Sequence, residues 1–235
     1  MTRCRTTQKF ILLAIVFTCL LGNGRADAGG APYIGMQPQE LPQKAIDALG
    51  LSSKGVVAIR DVGRGTPAEQ AGVRRGDIML TLNGEQIETL DQVIAIVTKA
   101  SPGDVFGLTV LRNGEKVDLS LTSIPWPESR KIKKNFVGQI PALGLTTAAL
   151  STKIREQFGV RWDSEGVVVT LVDPSKGVSE IIKRGDVIVQ FNQQPVWLPA
   201  QLISAYEAAK GSGKATALLL LERPDGYVFI LLPVR

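Results

Sequence analysis

The stretch RRGDIMLTLNG, from Arg74 to Gly84, returns as KRGDVIVQFNQ, from Lys183 to Gln193, at a spacing of 109 residues. The same shift lays YIGM (Tyr33 to Met36) over ALGL (Ala142 to Leu145), and DALG over EQFG. The second copy gains two residues before GVV, where Gly55 aligns with Gly166, and loses two before the Gly-Asp pair, which restores the shift to 109. A repeat of roughly 93 residues is the size of a domain, well beyond the roughly 20–50 residues of a solenoid unit. The chain therefore reads as one folding unit duplicated in tandem, each copy closing a core of its own. An apolar content of 44% in 235 residues is enough for two such cores.

Each copy spells the same succession: a short strand, a helix, further strands, a second helix and a closing hairpin. GVVAIRDV (Gly55 to Val62) is rich in β-branched residues and predicts a strand. TPAEQAG then predicts a helix with Thr66 as its cap, Pro67 at the first helical position, Glu69 completing a capping box and Gly72 ending it. IMLTLNGEQI alternates through a hairpin at Asn83-Gly84, and LRNGEKVDLSL repeats the device at Asn113-Gly114, where the second copy has RPDG (Arg223 to Gly226). Within the repeated phrase, Gly supplies a turn conformation and Asp a hydrogen-bond acceptor for nearby backbone as the strand starts. Because RGD stands at equivalent positions of both copies, entering a strand each time, it reads as scaffold and not as a cell-adhesion signal. TLDQVIAIVTKA carries Leu90, Val93, Ile94, Ile96 and Val97, too many apolar residues for one stripe facing one core. In so small a domain, the surplus predicts a helix that also forms the wall of a groove.

Charge must be counted after the first residues are set aside. MTRCRTTQK is basic, Phe10 to Gly22 is an uninterrupted apolar run, and ADA at Ala26 to Ala28 offers a small-x-small cleavage site, the outline of a secretory signal peptide over 1–28. The run is shorter than the roughly 20 residues of a spanning helix, so export with no stable membrane insertion after cleavage is expected, a destination that the resemblance given below implies to be the periplasm. The alternative is a chain anchored through this uncleaved segment. Removing 1–28 leaves 23 basic and 21 acidic residues and takes away both cysteines, Cys4 and Cys19. The expected mature protein is thus nearly neutral, with neither disulfide nor thiol.

Between the copies, PWPESRKIKKN (Pro125 to Asn135) has prolines that disfavour helix, and Arg130, Lys131, Lys133 and Lys134, which are hard to bury together. It predicts an exposed basic linker. No aromatic ladder accompanies it, so nucleic acid is not an expected partner.

In this order, the segments YIGM and ALGL, GVVAIRDVGRGTPAEQAGVRRGDIMLTLNGEQI and GVVVTLVDPSKGVSEIIKRGDVIVQFNQQPV, each followed by a helix and a hairpin, resemble the PDZ domains of bacterial HtrA/Do-like (DegP/DegQ-type) serine proteases. The resemblance covers about nine tenths of the expected mature chain and leaves out the protease domain. It implies an α+β, mostly β fold: two PDZ-like, partly open β-barrel or sandwich domains in tandem, each with about two helices. Their expected limits are 29–124 and 141–235, with the basic linker at 125–140.

The resemblance also implies a function. PDZ domains bind an extended peptide as a strand added to a sheet edge, and hold its C-terminal carboxylate on backbone amides. In the first copy it assigns the carboxylate loop to Tyr33, Ile34, Gly35 and Met36, and the groove helix to Leu90, Ile94 and Val97, whose i, i+4, i+7 spacing independently places them on one helical face. In the second copy it assigns Ala142, Leu143, Gly144 and Leu145 to the loop, and Pro199, Ile203 and Tyr206 to the helix. Where many eukaryotic members have a helix-start His, this chain has Leu90 and Pro199, which implies ligands with apolar residues at the C-terminus and two places before it. The second copy departs from the pattern: DPSKGVSEIIKRGD lacks the Pro-capped helix, FNQQ replaces LNGE, and Ala142 stands for Tyr33. Its peptide binding is the less firmly implied.

No His occurs in the 235 residues, so a His-activated Ser nucleophile is excluded within this chain. A Ser-Lys protease would need a further catalytic domain for which no residues remain. GSGKAT (Gly211 to Thr216) lacks the first Gly and the Ser or Thr of a phosphate loop. No cofactor or metal is expected. The expectation is a non-catalytic adaptor or regulator in envelope protein quality control, its partners peptides or protein C-termini and an envelope serine protease. The alternatives are the separated regulatory subunit of a Do-like protease and a structural component of a secretion or envelope complex.

Overall fold

The computed structural model describes residue 30, residues 32–51 and residues 55–234. The expected signal peptide and both cysteines lie outside them. In the first copy the order is β1 (Met36–Glu40), α1 (Gln43–Ala48), β2 (Val57–Val62), α2 (Pro67–Gln70), β3 (Ile78–Leu82), β4 (Glu85–Gln86), α3 (Leu90–Lys99), β5 (Val105–Arg112) and β6 (Glu115–Thr122). The second copy runs β7 (Val137–Ile140), β8 (Leu145–Ala149), α4 (Thr152–Phe158), β9 (Val167–Val172), β10 (Val187–Phe191), β11 (Gln194–Pro195), α5 (Pro199–Gly211), β12 (Thr216–Arg223) and β13 (Gly226–Pro233).

Each copy builds one antiparallel sheet, ordered β1-β2-β3-β5-β6 in the first and β13-β12-β10-β9-β8-β7 in the second, with β4 and β11 hung on β3 and β10. Neither sheet closes into a barrel. The shift of 109 makes β8 the counterpart of β1 and β10 that of β3, whereas β7 has no counterpart among the described residues. Alternation along the strands buries Val57, Ile59, Met79, Leu82, Phe106, Leu108 and Val110 in one core, and Val167, Val169, Ile188, Phe191, Leu219 and Leu221 in the other.

The turn chemistry follows the sequence. Asn83-Gly84 and Asn113-Gly114 both take positive φ at each residue, as tight hairpins require. Thr66 accepts from the Glu69 amide as an N-cap, but the Glu69 carboxylate accepts from Gly65 N at 2.6 Å, one residue before the expected capping-box partner. Where the second copy lacks that helix, a 3-10 turn spans Gly177–Glu180.

The duplicated phrase is braced in a way its own residues do not announce. Gly76 and Gly185 adopt φ of +87° and +95°. Asp77 accepts from Arg74 N at 2.8 Å and Asp186 from Lys183 N at 3.0 Å. Each carboxylate is also gripped by an arginine from the end of the hairpin strand: Arg112 on Asp77 and Arg223 on Asp186, each with two parallel hydrogen bonds. Arg112 and Arg223 also donate to the carbonyls of Gly72 and Ile181.

The copies also differ on the solvent face of the closing strand. β6 presents Lys116, Asp118 and Ser120, while β13 presents Tyr227, Phe229 and Leu231 at the corresponding places, 53–62% exposed.

Between the copies lies a polar seam. The Trp162 indole donates to Asp61 at 2.7 Å, and Asp61 also pairs with Arg75. Arg64 pairs with Asp163 at 3.0 Å and Glu222 at 2.6 Å, and Arg161 pairs with Asp163 at 2.8 Å. Burial alone would raise the Asp163 carboxyl, but the bonds from Arg161 and Arg64 outweigh it and hold the group at about 2.

The segment at 125–140 differs from the expected exposed linker. Lys131, Lys133 and Lys134 are exposed, but the Arg130 side chain is only 7% exposed. It lies over the rings of Tyr33 and Trp162 and donates to the carbonyls of Trp162 and Asp163. An arginine can be buried here because flat aromatic faces and carbonyl acceptors receive its plane and its N–H groups. Val137–Ile140 within the same segment is strand β7.

Candidate functional site

In the first copy the residues expected to line a groove lie on the loop before β1 and on helix α3, which packs near β1. β1 pairs only with β2, in the register Met36↔Val62 to Glu40↔Val57, so its other edge is unpaired among the described residues. Pro38, which has no N–H to give to a ladder, sits on it, as befits an edge strand.

The surplus apolar residues of α3 divide between the core and the surface. Val93 is buried in the core, with Ile96 and Val97 packed partly against it. Leu90 is half-buried and Ile94 is 49% exposed. Thr89 caps the helix and the Gln92 amide oxygen accepts from Thr89 N. The Glu40 carboxylate accepts from Leu90 N at 2.7 Å and ties the end of β1 to the start of α3.

The loop before β1 gives its side chains to the interior. Tyr33, Ile34 and Met36 are buried, Tyr33 against Trp126 with ring centroids 5.0 Å apart. Its carbonyls are also occupied. Ile34 O accepts from Ala68 N and Gly35 O from Gly63 N, each at 2.9 Å. The Thr66 hydroxyl lies 3.1 Å from Gly35 O, and a Cβ at Gly35 would collide with Thr66. The amides of Ile34 and Gly35 have no partner among the described residues. A loop whose carbonyls are tied back and whose amides are unpaired offers donors to an anion.

In the second copy the corresponding space is filled by β7. Leu143 and Leu145 are buried, Gly144 is half-buried and Ala142 is exposed. Pro199 and Ile203 lie against Gly138 of β7, and Tyr206 is fully buried in the core. Gly144 N donates to Pro141 O at 3.0 Å, where the equivalent Gly35 amide has no such bond.

Glu40, Thr66, Gln92 and β7 were not among the residues expected at the site. Thr66 carried a sequence signal as a helix cap, and Gln92 one as the last residue of the Thr89-Leu90-Asp91-Gln92 capping box. Clefts also open along the seam. One is lined by Arg64, Arg74, Arg75 and Arg161, but three of these are already paired with Asp61, Asp163 and Glu222. No group of three metal-ligating side chains occurs among the described residues, and no described helix is long and apolar enough to cross a membrane.

Residues 32–122 match the PDZ domain family. Over 226 residues the chain is 30% identical to the "Probable periplasmic serine endoprotease DegP-like" of Brucella suis biovar 1 (strain 1330), covering 92% of this chain and 41% of that protein. It is 27% identical over 221 residues to the protein of the same name from Rhizobium meliloti (strain 1021), covering 93% and 43%. The chain thus spans about two fifths of the length of these relatives. Among solved structures it is similar to "HtrA-type protease AlgWS227A with decapeptide", at 27% identity and a TM-score of 0.39, over 41% of this chain and 30% of that one.

Proposed function

We propose that this chain, which has a PDZ domain over residues 32–122 and is homologous to DegP-like serine endoproteases over their PDZ-containing region, binds extended peptides or apolar C-termini as an exported, non-catalytic adaptor or regulator of envelope protein quality control. The observation that carries this reading is the edge of β1 left unpaired among the described residues, beside the Leu90, Ile94 and Val97 face. A peptide strand laid there gains main-chain bonds from β1 and apolar contact from α3. Pro38 withholds one amide from that ladder, so affinity leans on the carboxylate held by the Ile34 and Gly35 amides and on the apolar anchors.

The periplasmic setting rests on the relatives, which are named periplasmic serine endoproteases. Those names also favour a second reading, in which the chain is the regulatory part of a Do-like protease whose catalytic subunit is encoded elsewhere. A pull-down from native envelope extract that recovers no protease would exclude it.

The primary reading is tested by screening the protein against paired peptide libraries with free and amidated C-termini. Binding that falls on amidation is expected. Equal binding to both sets would overturn the carboxylate-loop assignment.

A further inference from the structure

The two copies part company at the strand edge where a ligand would add. In the first, the outer edge of β1 is unpaired among the described residues; in the second, all four residues of β7 pair with β8, Val137↔Ala148, Gly138↔Thr147, Gln139↔Thr146 and Ile140↔Leu145. β7 runs antiparallel to β8 and packs against α5, the counterpart of the groove helix. The fit is close. A Cβ on Gly138 would lie 2.6 Å from Pro199 Cβ and 2.9 Å from Ile203 Cδ1. Ile140 is buried in the core cluster. Thr147, which replaces the amide-less Pro38 of the first copy, donates its hydroxyl to Gly138 O at 3.4 Å. Beyond Ile140 the chain turns through Pro141–Leu143, and Pro141 O accepts the Gly144 amide of the loop, the place an incoming carboxylate oxygen would take.

We propose that Val137–Ile140 is an intramolecular ligand of the second groove, which it holds closed until it unpairs. The site beneath it takes an extended segment that ends in an aliphatic residue with a glycine two places before. The anchoring is slight enough for release: Ile140 is the only buried residue of the four, Gly138 has no side chain, and Val137 is 61% exposed. This rests on the reading that these grooves receive added strands, but it concerns the second groove alone.

The test uses the full chain and a labelled free-carboxylate peptide, Asn-Phe-Val-Gly-Gln-Ile, copied from 135–140. Ile94→Asp removes the contribution of the first groove. Adding Gly138→Asp drives β7 out, because a charged side chain cannot enter the space against Pro199 and Ile203. The double variant is expected to bind roughly 10- to 100-fold more tightly than Ile94→Asp alone, the factor by which a closed state depresses apparent affinity. No gain, with amide-exchange protection of β9, β10 and β12 intact, would overturn the proposal. A wild type that binds no peptide, beside a double variant that does, would refute the first-groove reading and leave this one standing. If Gly138→Asp unfolds the domain, native-state exchange on the wild type decides. β7 amides opening ahead of the β9–β10 ladder support a displaceable ligand, and β7 amides exchanging only on global unfolding make it an integral strand and sink the idea.

Discussion

Arg112 places two parallel hydrogen bonds, each 2.7 Å, on the carboxylate of Asp77. The pair joins the turn that starts β3 to the last residue of β5, and Arg223 with Asp186 repeats it. With Asp77 only 1% exposed and Arg112 17%, removal of the arginine strands a buried carboxylate. Arg112→Ala should cost roughly 3 kcal/mol of first-domain stability in urea unfolding followed by amide exchange. Arg223→Ala, at a more exposed arginine, should cost the second domain less. Equal, negligible losses would show that backbone bonds alone hold these turns.

The helix α3 separates binding from folding within two adjacent residues. Ile94 is half-exposed and Val93 is buried. Ile94→Asp should leave the melting temperature within about 2 °C while weakening peptide binding at least about tenfold, since it puts a charge on the apolar wall. Val93→Asp should unfold the first domain. Calorimetry paired with fluorescence anisotropy reads both, and an Ile94→Asp variant that binds normally removes α3 from the site.

Asp163 joins stability to acidity. Its carboxyl is depressed in the folded chain, to about 2 from an ordinary 3.8, so its contribution is complete above the ordinary value and is lost as pH falls through the folded one. Roughly 2 kcal/mol should disappear on going from pH 5 to pH 2. Asp163→Asn should be destabilised at pH 5 and lack that part of the slope. Urea midpoints across this range, compared between the two proteins, test the sign directly.

The hydroxyls of Tyr33 and Tyr206 are buried without a partner among the described residues, and burial pushes the Tyr33 phenol upward. Tyr206→Phe keeps the ring in the core and removes an unsatisfied polar atom. The expected outcome is stability unchanged or raised by about 1 kcal/mol in chemical unfolding. A loss above that size would reveal a hydrogen-bond partner for the hydroxyl.

The duplicated scaffold was legible because it is written in local chemistry: alternation, Asn-Gly turns, Thr66 before Pro67, and a helix with more apolar residues than one core can use. What escaped was long-range. Nothing near Asp77 announces Arg112, 35 positions away, and nothing near Asp61 announces Trp162, 101 positions away. The strand VGQI was also hidden. It has four residues, one of them glycine, and its β character comes from β8 and α5 and not from its own propensity. Arg130 looked like one charge in a basic run, yet its plane is buried between two aromatic rings, a fate Lys131 beside it does not share.

The closing strands carry a further consequence. An edge strand is a template for neighbouring chains, and charged side chains on it discourage them. Lys116 and Asp118 give β6 that protection, whereas β13 turns Tyr227, Phe229 and Leu231 outward on an edge of its own. Self-association should therefore divide unevenly between the two copies, starting at β13 before β6.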